Sequence, residues 1–159
     1  NEDDLKRAKI EHLEDILEVL PWIATVDKFQ HWIYENPSHS IEERQKVWLK
    51  TYEQFTDSIT DWAGYEHFKQ YIWQRQLHIY EVPFYYIEYG IPQLGALGMW
   101  KQFRENKEKA IQNYTLALSL GGTRTLPELY KAAGLTLDFS PEKIHELMEM
   151  VSTELKSLT

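Results

Sequence analysis

The fold is most plainly indicated by residues 106–134, which read NKEKAIQNYTLALSLGGTRTLPELYKAAG. Asn106 is a residue type that caps helices by accepting a hydrogen bond from a free N–H of the first turn. Gly121 and Gly122 readily take left-handed dihedrals and so end that helix. The stretch Thr125–Glu128 has the capping-box form with proline near the helix start, and Gly134 ends the helix that follows. We therefore predict two consecutive helices here.

Similar start signals flank this stretch on both sides. Ser40–Glu43 is another capping box, which predicts a helix from Ile41 to about Thr56. Ser140-Pro141 predicts the start of the last helix. That helix carries an apolar stripe at helical spacing: Ile144, Leu147, Met148, Val151 and Leu155.

The N-terminal third is also helical in pattern. Apolar residues recur at helical spacing at Ile10, Leu13, Leu17 and Leu20. Pro21 disfavours helical dihedrals in the residue before it, so we expect this helix to end or kink near Leu20 and to resume through residues 29–34.

The middle of the chain predicts a loop over Asp57–Gly64, a short helix over Tyr65–Trp73, and a long apolar helix from just after Pro83 to Phe103 or Arg104. Within that long helix, Gly95 and Gly98 are expected to let another backbone approach closely.

These signals together predict an all-α fold with no significant sheet. Apolar and polar residues alternate weakly over Leu135–Phe139, but this stretch is too short to form a sheet. A chain of 159 residues is long enough to bury an ordinary core. We therefore expect residues 1–159 to form a single helical unit.

The composition excludes several partners. With 17 basic and 25 acidic residues the net charge is −8, which argues against nucleic acid. The apolar run Val82–Trp100 contains prolines, glycines and Glu88, which favours a buried helix over a membrane span, so no membrane partner is expected. The chain has no cysteine, and the N-terminal residues have no apolar leader. We expect a cytoplasmic protein.

No metal ligands are predicted within the chain. The six histidines stand at positions 12, 31, 39, 67, 78 and 145, and no two of them have the i, i+4 spacing that directs two imidazoles at one ion. His145 begins such a motif, but Glu149 takes the place of the second histidine.

Aromatic residues crowd the middle of the chain, where 14 of the 22 fall between Tyr52 and Phe103. The densest part is residues 78–89, HIYEVPFYYIEY. In a helix starting after Pro83, Tyr89 would stand at i+4 from Tyr85 and at i+3 from Tyr86. Phenol and imidazole donors in an apolar wall suit a carbonyl oxygen that gains negative charge. Tyrosine-rich packing with no catalytic role would give the same pattern.

Residues 78–89, then Gln93–Leu97 with Trp100, and Leu118–Leu129 with Ala133-Gly134 resemble the C-terminal end of the oligoendopeptidase F family. That family belongs with thimet oligopeptidase among the zinc metallopeptidases that cut short peptides. The resemblance covers about Trp73 to Ser140.

The resemblance implies a larger, helical, two-lobed metalloendopeptidase in which His-Glu-x-x-His and a later Glu hold zinc. This chain lacks that motif. It is therefore expected to be the C-terminal portion of such an enzyme, the missing N-terminal portion being its partner. Zinc is then a cofactor of the full-length enzyme that this fragment does not bind, and the fragment alone is expected to be inactive.

The resemblance also implies roles for individual residues. His78, Tyr85 and Tyr89 are expected to be catalytic, binding the substrate and the oxyanion, and Tyr86 is expected to bind substrate. Relatives differ by one residue in this spacing, so Tyr85 and Tyr86 compete for one of the roles. The alternative is a non-enzymatic helical module that binds a peptide or protein on its aromatic surface.

Overall fold

A computed structural model of the chain describes residues 1–57 and 59–158. The helices, in chain order, are α1 (Glu2–Glu35), α2 (Ile41–Phe55), α3 (Glu66–Lys69), a 3₁₀ helix (Ile72–Arg75), α4 (His78–Glu81), α5 (Ile87–Glu105), α6 (Lys107–Leu120), α7 (Leu126–Ala132) and α8 (Pro141–Leu158). No strand occurs in the described ranges. The predicted all-α class is confirmed.

Helices with local start and stop signals lie where the sequence predicts them. At the start of α2, Ser40 Oγ accepts from the Glu43 N–H at 3.1 Å, and Glu43 Oε2 accepts from the Ser40 N–H at 2.8 Å. At the start of α6, Asn106 Oδ1 accepts from the Lys109 N–H at 3.0 Å. Helix α6 ends at Leu120 and is followed by Gly121, whose φ of 51° lies in the left-handed region.

Helix α1 does not end at Pro21, so of the two outcomes expected there, an end or a kink, the first is wrong. It continues to Glu35 with Pro21 inside it. Proline inside a helix costs about 3 kcal/mol. Buried side chains on both sides of Pro21, including Ile16, Ile23 and Val26, gain more than this from packing on the same helix face.

The segment between α2 and α5 is more broken than predicted. The helix predicted over Tyr65–Trp73 is split into α3 and the 3₁₀ helix. The long helix α5 begins at Ile87 and not just after Pro83. The predicted loop is confirmed over residue 57 and residues 59–64, and Ser58 lies outside the described residues.

The residues of the chain group into two compact units. One consists of Asp15–Gly90, called here the central unit, and the other of Asn1–Glu14 with Ile91–Thr159, called the terminal unit. The expectation of a single helical unit over 1–159 stays a prediction.

The central unit is built on an aromatic core. Phe29 of α1 and Trp48 of α2 are fully buried. The ring of Phe29 lies 5.0 Å from Trp48 and 5.5 Å from Trp73, edge-on to the first and tilted against the second. Such arrangements favour the contact of positive ring edges with negative ring faces. This core fixes α1, α2 and the 3₁₀ helix against one another.

In the terminal unit, the glycines of α5 accommodate side chains. A Cβ atom on Gly95 would lie 2.6 Å from Tyr130 Oη, and one on Gly98 would lie 2.9 Å from a methyl carbon of Leu135. Tyr130 Oη donates to the carbonyl oxygen of Ile91 at 2.6 Å. The expected approach of another backbone is therefore wrong, because side chains from the α7 region fill these positions.

Within the described ranges, no helix combines the length and the apolar character needed to cross a bilayer.

Gly95→Ala is expected to destabilise the chain. The new methyl group would overlap a Tyr130 hydroxyl that is held in place by its hydrogen bond, and overpacking costs about 1–3 kcal/mol, more than the up to ~1 kcal/mol that alanine gains over glycine in a helix. Chemical denaturation measures the decrease in the free energy of unfolding. Gly122→Ala is the control, because a Cβ there meets no atom within 4 Å. Equal stability of the two variants would contradict the assigned packing.

Candidate functional site

The candidate site lies in the central unit, on the segment from the 3₁₀ helix to the first turn of α5. His78 is the first residue of α4, and Tyr89 lies in the first turn of α5. Tyr85 and Tyr86 precede α5, so the helical spacing predicted for them is wrong. Between the two helices, Phe84 has a φ of 58°, a left-handed conformation that is rare outside glycine.

A buried glutamine of α1 holds this segment in place. The side chain of Gln30 has no exposure to solvent. Its Oε1 accepts from the Phe84 N–H at 2.9 Å, and its Nε2 donates to the carbonyl oxygens of Ile79 at 3.2 Å and His78 at 3.4 Å. Helix α5 starts late because the backbone of Phe84 has a left-handed φ, which a helix does not allow, and the bond from its N–H to Gln30 holds Phe84 in place.

The four side chains predicted from the sequence converge although the predicted helix register is wrong. The distances from the centroid of the His78 ring are 5.0 Å to Tyr86, 5.5 Å to Tyr89 and 6.3 Å to Tyr85. The Tyr89 ring also lies 5.9 Å from Tyr85 and 5.2 Å from Tyr86, edge-on to both. His78 thus contacts three phenol rings in one cluster, called here the His-Tyr cluster. The roles assigned to its members stay predictions.

A chain of hydrogen bonds runs through the cluster. The Trp22 indole N–H donates to Gln76 Oε1 at 3.2 Å. Gln76 Nε2 lies 2.6 Å from His78 Nδ1, and His78 Nε2 lies 3.0 Å from Tyr89 Oη. Both imidazole nitrogens therefore have hydrogen-bond partners, and Tyr89 is the last residue in this series of hydrogen bonds.

The cluster is open to solvent on its tyrosine side. Tyr85 is 48% exposed and Tyr89 is 45% exposed, whereas Tyr86 is half-buried. Burial raises the pKa of the Tyr86 phenol, and the Trp22 indole N–H beside it partly opposes that rise. Tyr86 is thus a neutral hydrogen-bond donor near pH 7. An open face with several neutral donors can bind the carbonyl oxygens of an extended ligand.

The His-Tyr cluster does not fit a metal ion. Both ring nitrogens of His78 already have partners, and among the described residues His78 belongs to no group of three or more possible metal ligands. Over residues 1–57 and 59–158 no group of three or more His, Asp or Glu side chains has the arrangement of a metal site.

Two recesses lie away from this cluster. One, of about 330 Å³, lies in the terminal unit beside Gly98, Tyr130 and Leu147. The other, of about 370 Å³, lies beside Trp32 and His39. Neither includes His78 or its tyrosines. We place the candidate site on the His-Tyr cluster because fixed polar donors converge there.

The comparisons with known proteins identify the class of this helical, His- and Tyr-bearing chain. The sequence profile of peptidase family M3 matches residues 1–149. The chain belongs to peptidase family M3, and the resemblance to oligoendopeptidase F drawn from the sequence is confirmed. No curated protein sequence matches the chain closely enough to count as a relative.

Three solved structures are similar over 98% of the chain. A protein described as an oligoendopeptidase F shares 35% identity at a TM-score of 0.79, and PZ peptidase A, in a structure with an inhibitor, shares 32% at 0.82. A protein of Bacillus anthracis described as an oligoendopeptidase F shares 29% at 0.74. The chain spans 27%, 28% and 24% of these three proteins, respectively.

The sequence analysis missed three residues that shape the site: Trp22, Gln30 and Gln76. Gln30 and its partner Phe84 are 54 positions apart in the chain, as are Trp22 and Gln76. No local motif links such pairs. The one available signal is a glutamine on an apolar helix face, since Gln30 follows Val26 by four positions and precedes Ile33 by three.

Gln30→Leu is expected to destabilise the central unit and to free the backbone at Phe84. The leucine removes the partner of the part-buried Phe84 N–H and of the carbonyl oxygens of Ile79 and His78, of which the Ile79 bond is buried, and an unsatisfied buried group costs about 1–3 kcal/mol. Chemical denaturation measures the stability, and amide hydrogen exchange at Phe84 measures the local release.

The matched control is Gln54→Leu. Gln54 is exposed and its side chain accepts from the exposed Lys28 Nζ, so this variant should stay within about 0.5 kcal/mol of the parent. A Gln30→Leu variant with unchanged stability and a slowly exchanging Phe84 amide would refute the role given to Gln30.

Proposed function

We propose that this chain is the C-terminal part of a zinc-dependent oligopeptidase that hydrolyses short peptides, and that its His-Tyr cluster binds the substrate. Membership of peptidase family M3 supports the peptidase activity. The single observation that carries the assignment of the site is the His78–Tyr89 hydrogen bond at 3.0 Å on an exposed tyrosine face.

The remainder of the enzyme, including its zinc ligands, is proposed to lie outside this chain. This chain covers only 24–28% of the similar structures, which supports that view. The described residues of this chain offer no ligand set, so the chain alone is proposed to be inactive. We propose the oligoendopeptidase F type, with a cytoplasmic location suited to a cysteine-free chain.

In this proposal each member of the cluster has a chemical task. The Tyr89 O–H donates to the scissile carbonyl oxygen, and this bond strengthens as the oxygen gains negative charge. His78 holds Tyr89 through Nε2, and Tyr85 supplies a further exposed donor. Tyr86, a neutral phenol near pH 7, binds another polar group of the peptide.

Tyr89→Phe in the full-length peptidase is expected to lower kcat by about a hundredfold to a thousandfold, because one oxyanion donor is lost while the ring packing remains. Steady-state kinetics on a quenched fluorescent peptide measures kcat and KM, and metal analysis should show unchanged zinc content. The 159-residue chain alone should show no turnover.

Tyr80→Phe is the matched control. Tyr80 is 54% exposed and stacks on Trp73 at 5.7 Å, outside the His-Tyr cluster. This variant should keep its kcat. Full activity of Tyr89→Phe would remove the assigned role, and a full-length protein that binds peptides without cutting them would favour the binding-module alternative.

A further inference from the structure

We propose that Gln76, held by Trp22, is a positioning residue that fixes the proton on His78 Nε2 and thereby leaves the Tyr89 hydroxyl proton free to be donated outward. The consequence for catalysis rests on the proposed function. The proton arrangement itself rests only on the hydrogen-bond geometry of the central unit.

Trp22, which is half-buried, sets the direction of the hydrogen bonds at the inner end of the series. An indole N–H can donate but cannot accept. The atom of Gln76 that faces it at 3.2 Å is therefore the carbonyl oxygen Oε1. The Tyr86 phenol beside the same indole N–H does not change this, because an amide NH₂ at that position would still face a donor. The opposite orientation of the amide would place two donors against each other. The NH₂ group of Gln76 is consequently the one that faces His78.

The second step fixes the tautomer of His78. An amide NH₂ group only donates, so His78 Nδ1, at 2.6 Å from it, must accept and carry no proton. The neutral imidazole then carries its proton on Nε2. That nitrogen is 3.0 Å from Tyr89 Oη, so the Nε2–H donates and the tyrosine oxygen accepts.

The last step concerns the proton of Tyr89 itself. A phenol oxygen that accepts from His78 cannot also donate to the same nitrogen, so its O–H points elsewhere. Tyr89 is 45% exposed, which leaves solvent or a ligand as the acceptor. With the other tautomer, Nε2 would accept a hydrogen bond from the Tyr89 O–H. Tyr89 could then offer a ligand only its oxygen, as an acceptor. Gln76 therefore decides whether Tyr89 is a donor to a ligand.

The arrangement also strengthens the hydrogen bond that the Tyr89 O–H donates to a ligand. Successive hydrogen bonds polarise one another, so a phenol that accepts from the imidazole is a better donor than an isolated one. Trp22 is constrained in turn by the guanidinium of Arg75, which lies 4.7 Å from its ring centroid. The Tyr89 O–H at the surface is thus oriented by residues that do not contact the ligand.

Long-range ¹H–¹⁵N NMR of the 159-residue chain tests the tautomer directly. We expect His78 to show a protonated Nε2 and an unprotonated Nδ1 when the ring is neutral. In Gln76→Glu the new carboxylate can only accept, so Nδ1 should become protonated. Gln74→Glu adds the same charge at an exposed position of the 3₁₀ helix and should leave the tautomer unchanged. A parent protein with Nδ1 protonated overturns the proposal.

Kinetics of the full-length peptidase test the consequence, at a pH where NMR shows the imidazole of the variant to be neutral. Gln76→Glu should lower kcat with little change in KM or zinc content. Combined with Tyr89→Phe it should add little further loss, because both changes remove the same donor. Fully additive losses overturn the positioning role. Full activity of Tyr89→Phe overturns the proposed function instead, and the NMR result distinguishes the two cases.

Discussion

The structure of the site depends on one buried amide. Gln30 has no exposed surface, so its oxygen and its NH₂ group must find partners inside the protein. These partners are backbone groups: the N–H of Phe84 and the carbonyl oxygens of His78 and Ile79. The left-handed φ of Phe84 is tolerated because this bond compensates for the strain. Through that amide, α1 holds the backbone at the start of α4 and in the turn before α5, and hence the segment that carries the tyrosines.

The sequence is most informative where the signal for a structure lies within a few residues. The starts of α2, α6 and α7 follow from short capping patterns, and the end of α6 follows from Gly121. The signals fail where distant residues outweigh the local preference. Pro21 does not end α1 because packed apolar residues continue through it, and α5 starts at Ile87 because the backbone of Phe84, which is bound to Gln30, has a left-handed conformation.

In the site, too, local sequence predicts one part and contacts between distant residues decide the other. The composition of residues 78–89 is enough to predict that an imidazole and several phenols gather, and they do so although Tyr85 and Tyr86 are not helical. What the sequence does not show is the direction of the hydrogen bonds. That direction is set by Trp22, whose indole N–H meets a side chain 54 positions away. The identity of the donors follows from composition, whereas their orientation follows from packing.

The central claim is that Tyr89 presents a hydroxyl donor to the carbonyl oxygen of a bound peptide. The most direct measurement is a crystal structure of the full-length peptidase with a peptide analogue whose scissile carbonyl is replaced by a tetrahedral phosphinate. The account predicts a phosphinate oxygen about 2.5–3.0 Å from Tyr89 Oη, with the Gln76–His78–Tyr89 bonds retained. A phosphinate bound out of reach of Tyr89 would contradict it.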